Sequence, residues 1–407
     1  MSYLKKRPIL SLILMGCIML CVFYLYNESV VEADDEPFPD ELETIKEVAT
    51  GTSIGQTDAP MSLLVDKDNN LFVIWTATHG YNHTQYSYFS AMDQTWQPSK
   101  QFLTTASTTI HSDDGIAAIT YDTGTNLSRM CLFVYSNETN GNNIIRYSCL
   151  PDFSISSTRN YFSPPVPLPI TYLDSTGNTL SLSYDIQGFI SVTQPKANAS
   201  FYAVMNAAEI DSAGIKSEYA LRALLCDLKE PMAENEQVSI TCSRFKSYKD
   251  IKKSNHPSII ALPNGSLDAY YSFFAGANNN IAYVNTTSSN ATPIDLNDFN
   301  GEKRPSDSLT APYLYKEYVY LAYKNSDKNG IRFSRIALAD LLSGKEKAWK
   351  HCQLEDKSKF LVTSTTAPAL IAYNDMLYIF YANASDHNNI GYQRIDDKTP
   401  GTAACSK

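Results

Sequence analysis

Thr366 to Ile395 reads TAPALIAYNDMLYIFYANASDHNNIGYQRI. An apolar run ends at Tyr373, Asn374-Asp375 interrupts it, and a second run follows through Leu377, Tyr378, Ile379, Phe380 and Tyr381. A polar loop leads on to Asn389-Ile390-Gly391-Tyr392 and Arg394-Ile395. Asn and Asp tolerate the left-handed backbone of a tight hairpin turn, and aromatic and β-branched residues suit a pleated surface. The stretch therefore predicts three antiparallel strands.

The pattern recurs upstream. Thr310 to Ile336, TAPYLYKEYVYLAYKNSDKNGIRFSRI, sets Tyr323 where Tyr381 stands and Ile331-Arg332-Phe333 where Ile390-Gly391-Tyr392 stands. His256-Pro257 opens another copy, with a turn at Asn264-Gly265, then Tyr271 and Asn280-Ile281-Ala282-Tyr283. From Pro257 to Pro312 is 55 residues and from Pro312 to Pro368 is 56. A β-sandwich of similar hairpins has no reason to hold such offsets, whereas a blade of about four short strands repeated at fixed period is the sequence form of a β-propeller.

Earlier copies are looser. Asp58-Ala59-Pro60 opens the first, which turns at Asp68-Asn69-Asn70 and continues as Leu71 to Trp75, Gln85 to Phe89 and Trp96; Asp114 to Tyr121, Met130 to Tyr135 and Ile144 to Ser148 form the second. A third is read as Thr179 to Tyr184 with Phe189 to Thr193. Tyr184 and Tyr271 lie 87 residues apart, too far for one period and short for two. The expected fold is all-β, a propeller of six or seven blades of four-stranded antiparallel sheets over residues 48–407. The last copy has three strands, and Thr44 to Ile54 is the segment expected to complete it and close the ring.

Residues 1–8 carry Lys5, Lys6 and Arg7, and residues 9–26 are uncharged and almost wholly apolar. That run approaches the ~20 residues that span a bilayer. It reads as an N-terminal transmembrane or signal segment, an uncleaved anchor with a cytoplasmic start being favoured and cleavage after Ala33 the alternative. Residues 27–47 hold nine acidic residues with Pro37 and Pro39, which is a solvated stem and no core. The address implied is the secretory pathway, with the propeller outside the cytoplasm. Nine Asn-x-Ser/Thr sequons fit it: Asn27 and, in the exported part, Asn82, Asn126, Asn137, Asn198, Asn264, Asn285, Asn290 and Asn383. A net charge of -10 argues against nucleic acid and against anionic membrane surfaces as partners.

Cys17 and Cys21 fall in the apolar segment. Cys131 and Cys149 flank a hairpin centred on Asn140, and Cys226 and Cys242 one centred near Glu234. Both pairs face each other across antiparallel strands, so Cys131–Cys149 and Cys226–Cys242 are the bridges expected, leaving Cys352 with Cys405 to pin the tail to the preceding blade. With no CxxC and no clustered His, no metal and no cofactor is implied. Asp66-Lys67-Asp68-Asn69-Asn70 lacks the Gly and the later Glu of a calcium loop and reads as a hairpin turn.

The repeat of Ala-Pro, short strand, Asn/Asp turn, Leu-Tyr-x-x-Tyr and Asn-Asn-Ile-x-Tyr resembles that of fucose-specific-lectin-like and sialidase-like propellers and, more distantly, of five-bladed arabinanase and xylosidase-type glycosidases. The resemblance spans most of Asp58 to Ile395 and implies a scaffold more than an activity. A sialidase needs an arginine cluster, but Arg146, Arg332 and Arg394 sit at equivalent outer-strand offsets, and neither Ser112-Asp113-Asp114-Gly115 nor Ser90 to Trp96 forms the family's Asp box. No Arg/Glu pair recurs as fucose lectins require. The glycosidase resemblance implies carboxylates at inner-strand entries, where Asp58, Asp114 (or Asp113) and Asp307 stand; the same residues are also ordinary turn formers. His111 and His256, at further strand entries, read as rim or turn histidines. The reading is a lectin-like module binding carbohydrate or a glycosylated partner, with a glycoside hydrolase using Asp58, Asp114 and Asp307 and a protein-binding scaffold as alternatives.

Overall fold

The Asn374-Asp375 turn forms with φ of 46° and 58° at its two residues. It sets Tyr373 opposite Met376 and joins Ala369–Tyr373 to Met376–Asn383, against which Asn389–Ile395 pairs antiparallel. Two successive positive φ values give the turn a twist that matches its strands. The structure is a computed structural model that describes residues 57–405 apart from short loop segments. The apolar segment 9–26, the stem 27–47 and the strand expected at Thr44 to Ile54 lie outside the described residues. No described helix is long and apolar enough to cross a membrane.

The chain is an all-β propeller. The first sheet runs Ser62–Val65, Leu71–Thr76, Thr84–Ser90, Thr95–Trp96, and the second Ile116–Asp122, Ser128–Asn137, Asn143–Leu150, Val166–Pro167. The third holds Ser183–Val192, Ser200–Ile210, Ala220–Lys229 and Ser239–Tyr248, widened by Ile170–Leu173 and Thr179–Ser181. The fourth is Ser258–Asn264, Leu267–Ala275, Ile281–Asn285, Ile294–Asp295. In the fifth, Ser306–Leu309 and Tyr313–Tyr315 share one edge of Tyr318–Asn325, followed by Ile331–Ala337 and Lys350–Leu354. The three strands around Asn374-Asp375 make the last sheet. Four strands in every sheet is thus not met there among the described residues.

The 87-residue interval resolves without an extra blade. Its length goes into one sheet whose four main strands are 10 or 11 residues long. The hairpin expected from Thr179 to Thr193 is also absent: Ser183–Val192 is one strand, interrupted between Gln187 and Ser191 where Gly188 takes φ 75°. Thr179–Ser181 instead pairs with Ile170–Leu173 at the opposite edge of the sheet. A glycine inside a strand pattern looks like a turn in sequence but here marks a bulge.

The core is a set of layers between neighbouring sheets. Phe72, Leu132 and Phe162 fill the first interface, Phe133, Phe201 and Leu224 the second, and Val204, Leu221 and Phe274 the third. Phe273, Leu321 and Trp349 fill the next, and Phe333, Ile379 and Tyr381 the one after. The last sheet then meets the first: Trp96 packs edge-on against Phe380 and tilted against Tyr392, with ring centroids 6.1 and 5.7 Å away, and Asn69 Nδ2 donates to Asn374 Oδ1 at 2.9 Å. Phe380 and Tyr392 are fully buried there, each contributing roughly 1.5–3 kcal/mol of transfer free energy, so the seam is a real interface.

Both internal bridges form. Cys131 faces Cys149 with Cα atoms 4.1 Å apart, and Cys226 faces Cys242 at 4.0 Å. Cys352 is disulfide-bonded, and its register partner across Lys350–Leu354 and Ala403–Cys405 is Cys405. The tail strand therefore extends the fifth sheet. Asp66 builds the turn read at Asp66 to Asn70: its Oδ1 accepts the amides of Asp68 and Asn70 at 3.0 and 2.7 Å.

Candidate functional site at the channel mouth

The inner strands Ser62–Val65, Ile116–Asp122, Ser183–Val192, Ser258–Asn264, Tyr313–Tyr315 and Ala369–Tyr373 line one central channel of about 360 Å³, walled by residues such as Met61, Ile116, Phe189, Ile259, Leu314 and Leu370. Inner strands present unpaired edges, and unsatisfied buried N–H groups are costly. Here side chains of the neighbouring inner strand satisfy them. Ala118 N donates to Ser62 Oγ at 3.1 Å, Thr120 N to Gln194 Oε1 at 2.9 Å and Ile259 N to Ser191 Oγ at 3.2 Å. These contacts hold the rim of the channel in register.

At the end of the channel where the inner strands begin, Asp114 Oδ2 lies 3.5 Å from His256 Nε2. The two residues belong to the second and fourth sheets, and Phe189 of the third lies between, its ring centroid 5.3 Å from that of His256. Gly115 permits this: a methyl there would stand 3.1 Å from Phe189 Cδ1 and 3.1 Å from Pro60 Cδ. Burial opposes ionisation of Asp114, but the His256 imidazole and the Gly115 amide, which donates to Asp114 Oδ1 at 2.7 Å, outweigh it and hold the carboxyl below its ordinary value. Thr76 Oγ1 donates to the Asp114 carbonyl at 3.0 Å and ties the loop to the first sheet.

Two further carboxylates flank the site and are occupied. Asp113 accepts Asn82 Nδ2 at 2.8 Å and Asn137 N at 3.0 Å. Asp185, only 2% exposed, accepts Asn143 N at 2.7 Å, Lys216 Nζ at 2.8 Å and Tyr219 Oη at 2.5 Å. Burial raises Asp185, and these partners reverse it, leaving the carboxyl lowered. Burial, then Asp114, Asp185 and Asp113, push the Tyr135 phenol up to about 12. Tyr135 is therefore a neutral hydroxyl beside three carboxylates.

Of the acids named from sequence, Asp114 is engaged at the mouth. Asp58 is exposed and makes no hydrogen bond or ion pair among the described residues. Asp307 lies in Ser306–Leu309 at a register shift against Tyr318–Asn325, and its side chain is outside the described residues. Among the described residues the side chain that meets the Asp114 carboxylate is His256, and no second carboxylate is paired with it. His111 stands apart, its ring 4.6 Å from that of His83. The role of His256 escaped the sequence reading. Its signal is a break in the repeat, His256 before Pro257 where the next two copies have Ala311 and Ala367 before proline.

The arginines fall as their offsets indicated. Arg146, Arg332 and Arg394 lie on the third strands of three different sheets. Arg146 pairs with Glu138 at 2.8 Å. Trp75 and Trp349 are buried. Of the sequons, Asn137 and Asn264 are exposed, while the amide of Asn82 is held by Asp113 and that of Asn285 donates to Tyr271 Oη at 3.5 Å. Asn383 Oδ1 accepts the Ser385 amide at 3.0 Å. Asn126, Asn198 and Asn290 lie outside the described residues.

Sheets packed face to face round one channel define the class of the protein, a β-propeller. No protein-family model matches the chain, and no curated protein does. Among solved structures it is similar to the fucose-recognising lectin of Aleuria aurantia, a six-bladed propeller, at 9% identity and a TM-score of 0.52, over 87% of this chain and 96% of that one. A Dyadobacter fermentans protein of unknown function matches at 11% and 0.51, over 88% and 99%. Trypanosoma rangeli sialidase matches at 10% and 0.48, over 88% and 57%. Identities this low speak for the fold alone.

Proposed function

We propose that the protein is an extracytoplasmic recognition module that binds carbohydrate, alone or on a glycosylated partner, at the channel mouth. The observation that carries the reading is Asp114 paired with His256 beside the half-buried ring of Phe189. A carboxylate accepts hydrogen bonds from adjacent sugar hydroxyls, an imidazole donates or accepts another, and an aromatic face covers the apolar side of a sugar ring. The same arrangement supports binding over hydrolysis, since a glycosidase needs two opposed carboxylates and Asp113 and Asp185 are each spent on structure. Fucose recognition by the Aleuria lectin on a comparable scaffold is consistent with this.

In this reading the ring has six blades, the three-stranded last sheet being the sixth. Two buried disulfides favour an oxidising compartment, reached through the segment at 9–26, with glycans on the exposed Asn137 and Asn264. The test is a glycan array with the purified chain, wild type beside Asp114→Asn and Phe189→Ala, and an aryl-glycoside hydrolysis screen in parallel. Glycan binding that both substitutions weaken, with no hydrolysis, is the expected result. Hydrolysis abolished by Asp114→Asn in a folded variant would replace the lectin reading with the glycosidase one, and silence in both assays would leave a protein-binding scaffold.

A further inference from the structure

A second cavity, of about 780 Å³, lies on the third sheet toward the edge that Ile170–Leu173 and Thr179–Ser181 extend. Its charged lining is Arg222, Arg244, Lys246 and Glu209. Arg222 is buried, donates from Nε to the Ala207 carbonyl at 3.3 Å and from Nη1 to Ser247 Oγ, and lies 3.2 Å from Glu209 Oε1. Arg244 pairs with that same oxygen, and its guanidinium sits 4.8 Å over the Tyr172 ring. One carboxylate thus serves two guanidiniums. Lys246 reaches the Ser288 carbonyl, a neutral acceptor.

Two guanidiniums against one carboxylate leave the cavity positive in a chain whose net charge is -10. A purely structural buried ion-pair cluster is expected to balance, because uncompensated charge costs desolvation free energy. Burial already disfavours the charged form of Arg222; Glu209 opposes that effect and Arg244 adds to it. The backbone is also adjusted here. A register shift between Ala223 and Leu224 sets Ser247 opposite Arg222 and Arg244 opposite Leu224, so both guanidiniums take the same face of the sheet and Lys246 is paired with Ala223 instead. Bulges re-aim side chains in this way beside sites.

We propose that this cavity binds an oxyanion, the carboxylate or sulfate group of a small acidic ligand, between the guanidiniums of Arg222 and Arg244. Planar guanidinium donors match carboxylate and sulfate oxygens, and Ser243 and Ser247 add hydroxyls at the wall. The site is separate from Asp114 and does not depend on the channel-mouth reading. Calorimetric titration of the purified full chain with inorganic sulfate, with glucuronic acid and with glucose tests it. Sulfate and glucuronate bind, with affinity that falls as salt is raised, and glucose does not. Arg244→Gln weakens binding by about tenfold or more, the size of a lost charge-assisted hydrogen bond. Glu209→Gln, which removes the competing carboxylate, tightens it. Arg222 is too buried for a clean substitution, so Arg244→Gln carries the test, with an unchanged unfolding midpoint as the control for folding and Lys246→Gln, on the other face of the sheet, as a charge control that should leave most of the binding intact. Heat with sulfate and glucuronate equal to that with glucose, or binding that Arg244→Gln leaves intact, overturns the proposal.

Discussion

Replacing both members of the Cys226–Cys242 bridge by alanine tests how the third sheet is held. The bridge closes a loop with a sequence separation of 16, for which the chain-entropy relation gives about 3 kcal/mol at room temperature. Both cysteines are fully buried, so losing two packed sulfur atoms adds up to about 1 kcal/mol at each position. Destabilisation of about 3–5 kcal/mol is expected, a large share of the ~5–15 kcal/mol typical of a folded domain. The assay is urea unfolding followed by fluorescence, for which Trp75 and Trp349 are buried reporters. In wild type, reductant should lower the equilibrium midpoint toward that of the double variant, because the buried sulfurs become reducible once the sheet opens and the reduced unfolded chain is favoured. A double variant within about 0.5 kcal/mol of wild type would refute the reasoning, by showing that pairing from Leu221 to Lys229 already confines the hairpin without the bridge.

Asp114 and Asp185 both have lowered folded pKa values. The stability they contribute is therefore fully present above the unfolded carboxylate value of about 3.9 and is lost as pH falls through their folded values; urea midpoints from neutral to acid pH should drop there, and Asp185→Asn should flatten that drop. Ser191→Ala strips the Ile259 amide of its acceptor and should cost about 1–3 kcal/mol in the same unfolding assay. Asp375→Val forces a β-branched residue into φ 58° and should cost about 1–2 kcal/mol, whereas Asp375→Gly should be neutral or mildly stabilising. Non-reducing peptide mapping should join the peptides of Cys352 and Cys405, the register partners at the edge of the fifth sheet.

Local chemistry explains what was readable beforehand. A two-residue Asn-Asp turn between aromatic runs dictates a hairpin by itself, and its repetition at a near-constant period dictates blades, because each hairpin leaves an apolar face that only another sheet can cover. Cysteines equidistant from a hairpin centre must face each other, so both internal bridges followed from counting residues. The break read between Tyr184 and Phe189 falls at Gly188, which takes φ 75° inside one strand, since a turn and a bulge ask for the same backbone freedom.

The site depended on distance. Asp114 and His256 are 142 positions apart in the sequence and meet over Phe189 only because the ring turns successive inner strands toward one axis and Gly115 leaves room for the ring. Glu209, Arg222 and Arg244 come together on three adjacent strands through one bulged residue. Patterning within a strand determines which face a side chain takes, and it carried the fold. The shift of register between strands, and the closure of sheets round a channel, determine which side chains from remote segments share a volume; that lies in the packing of the whole chain, and no single stretch encodes it.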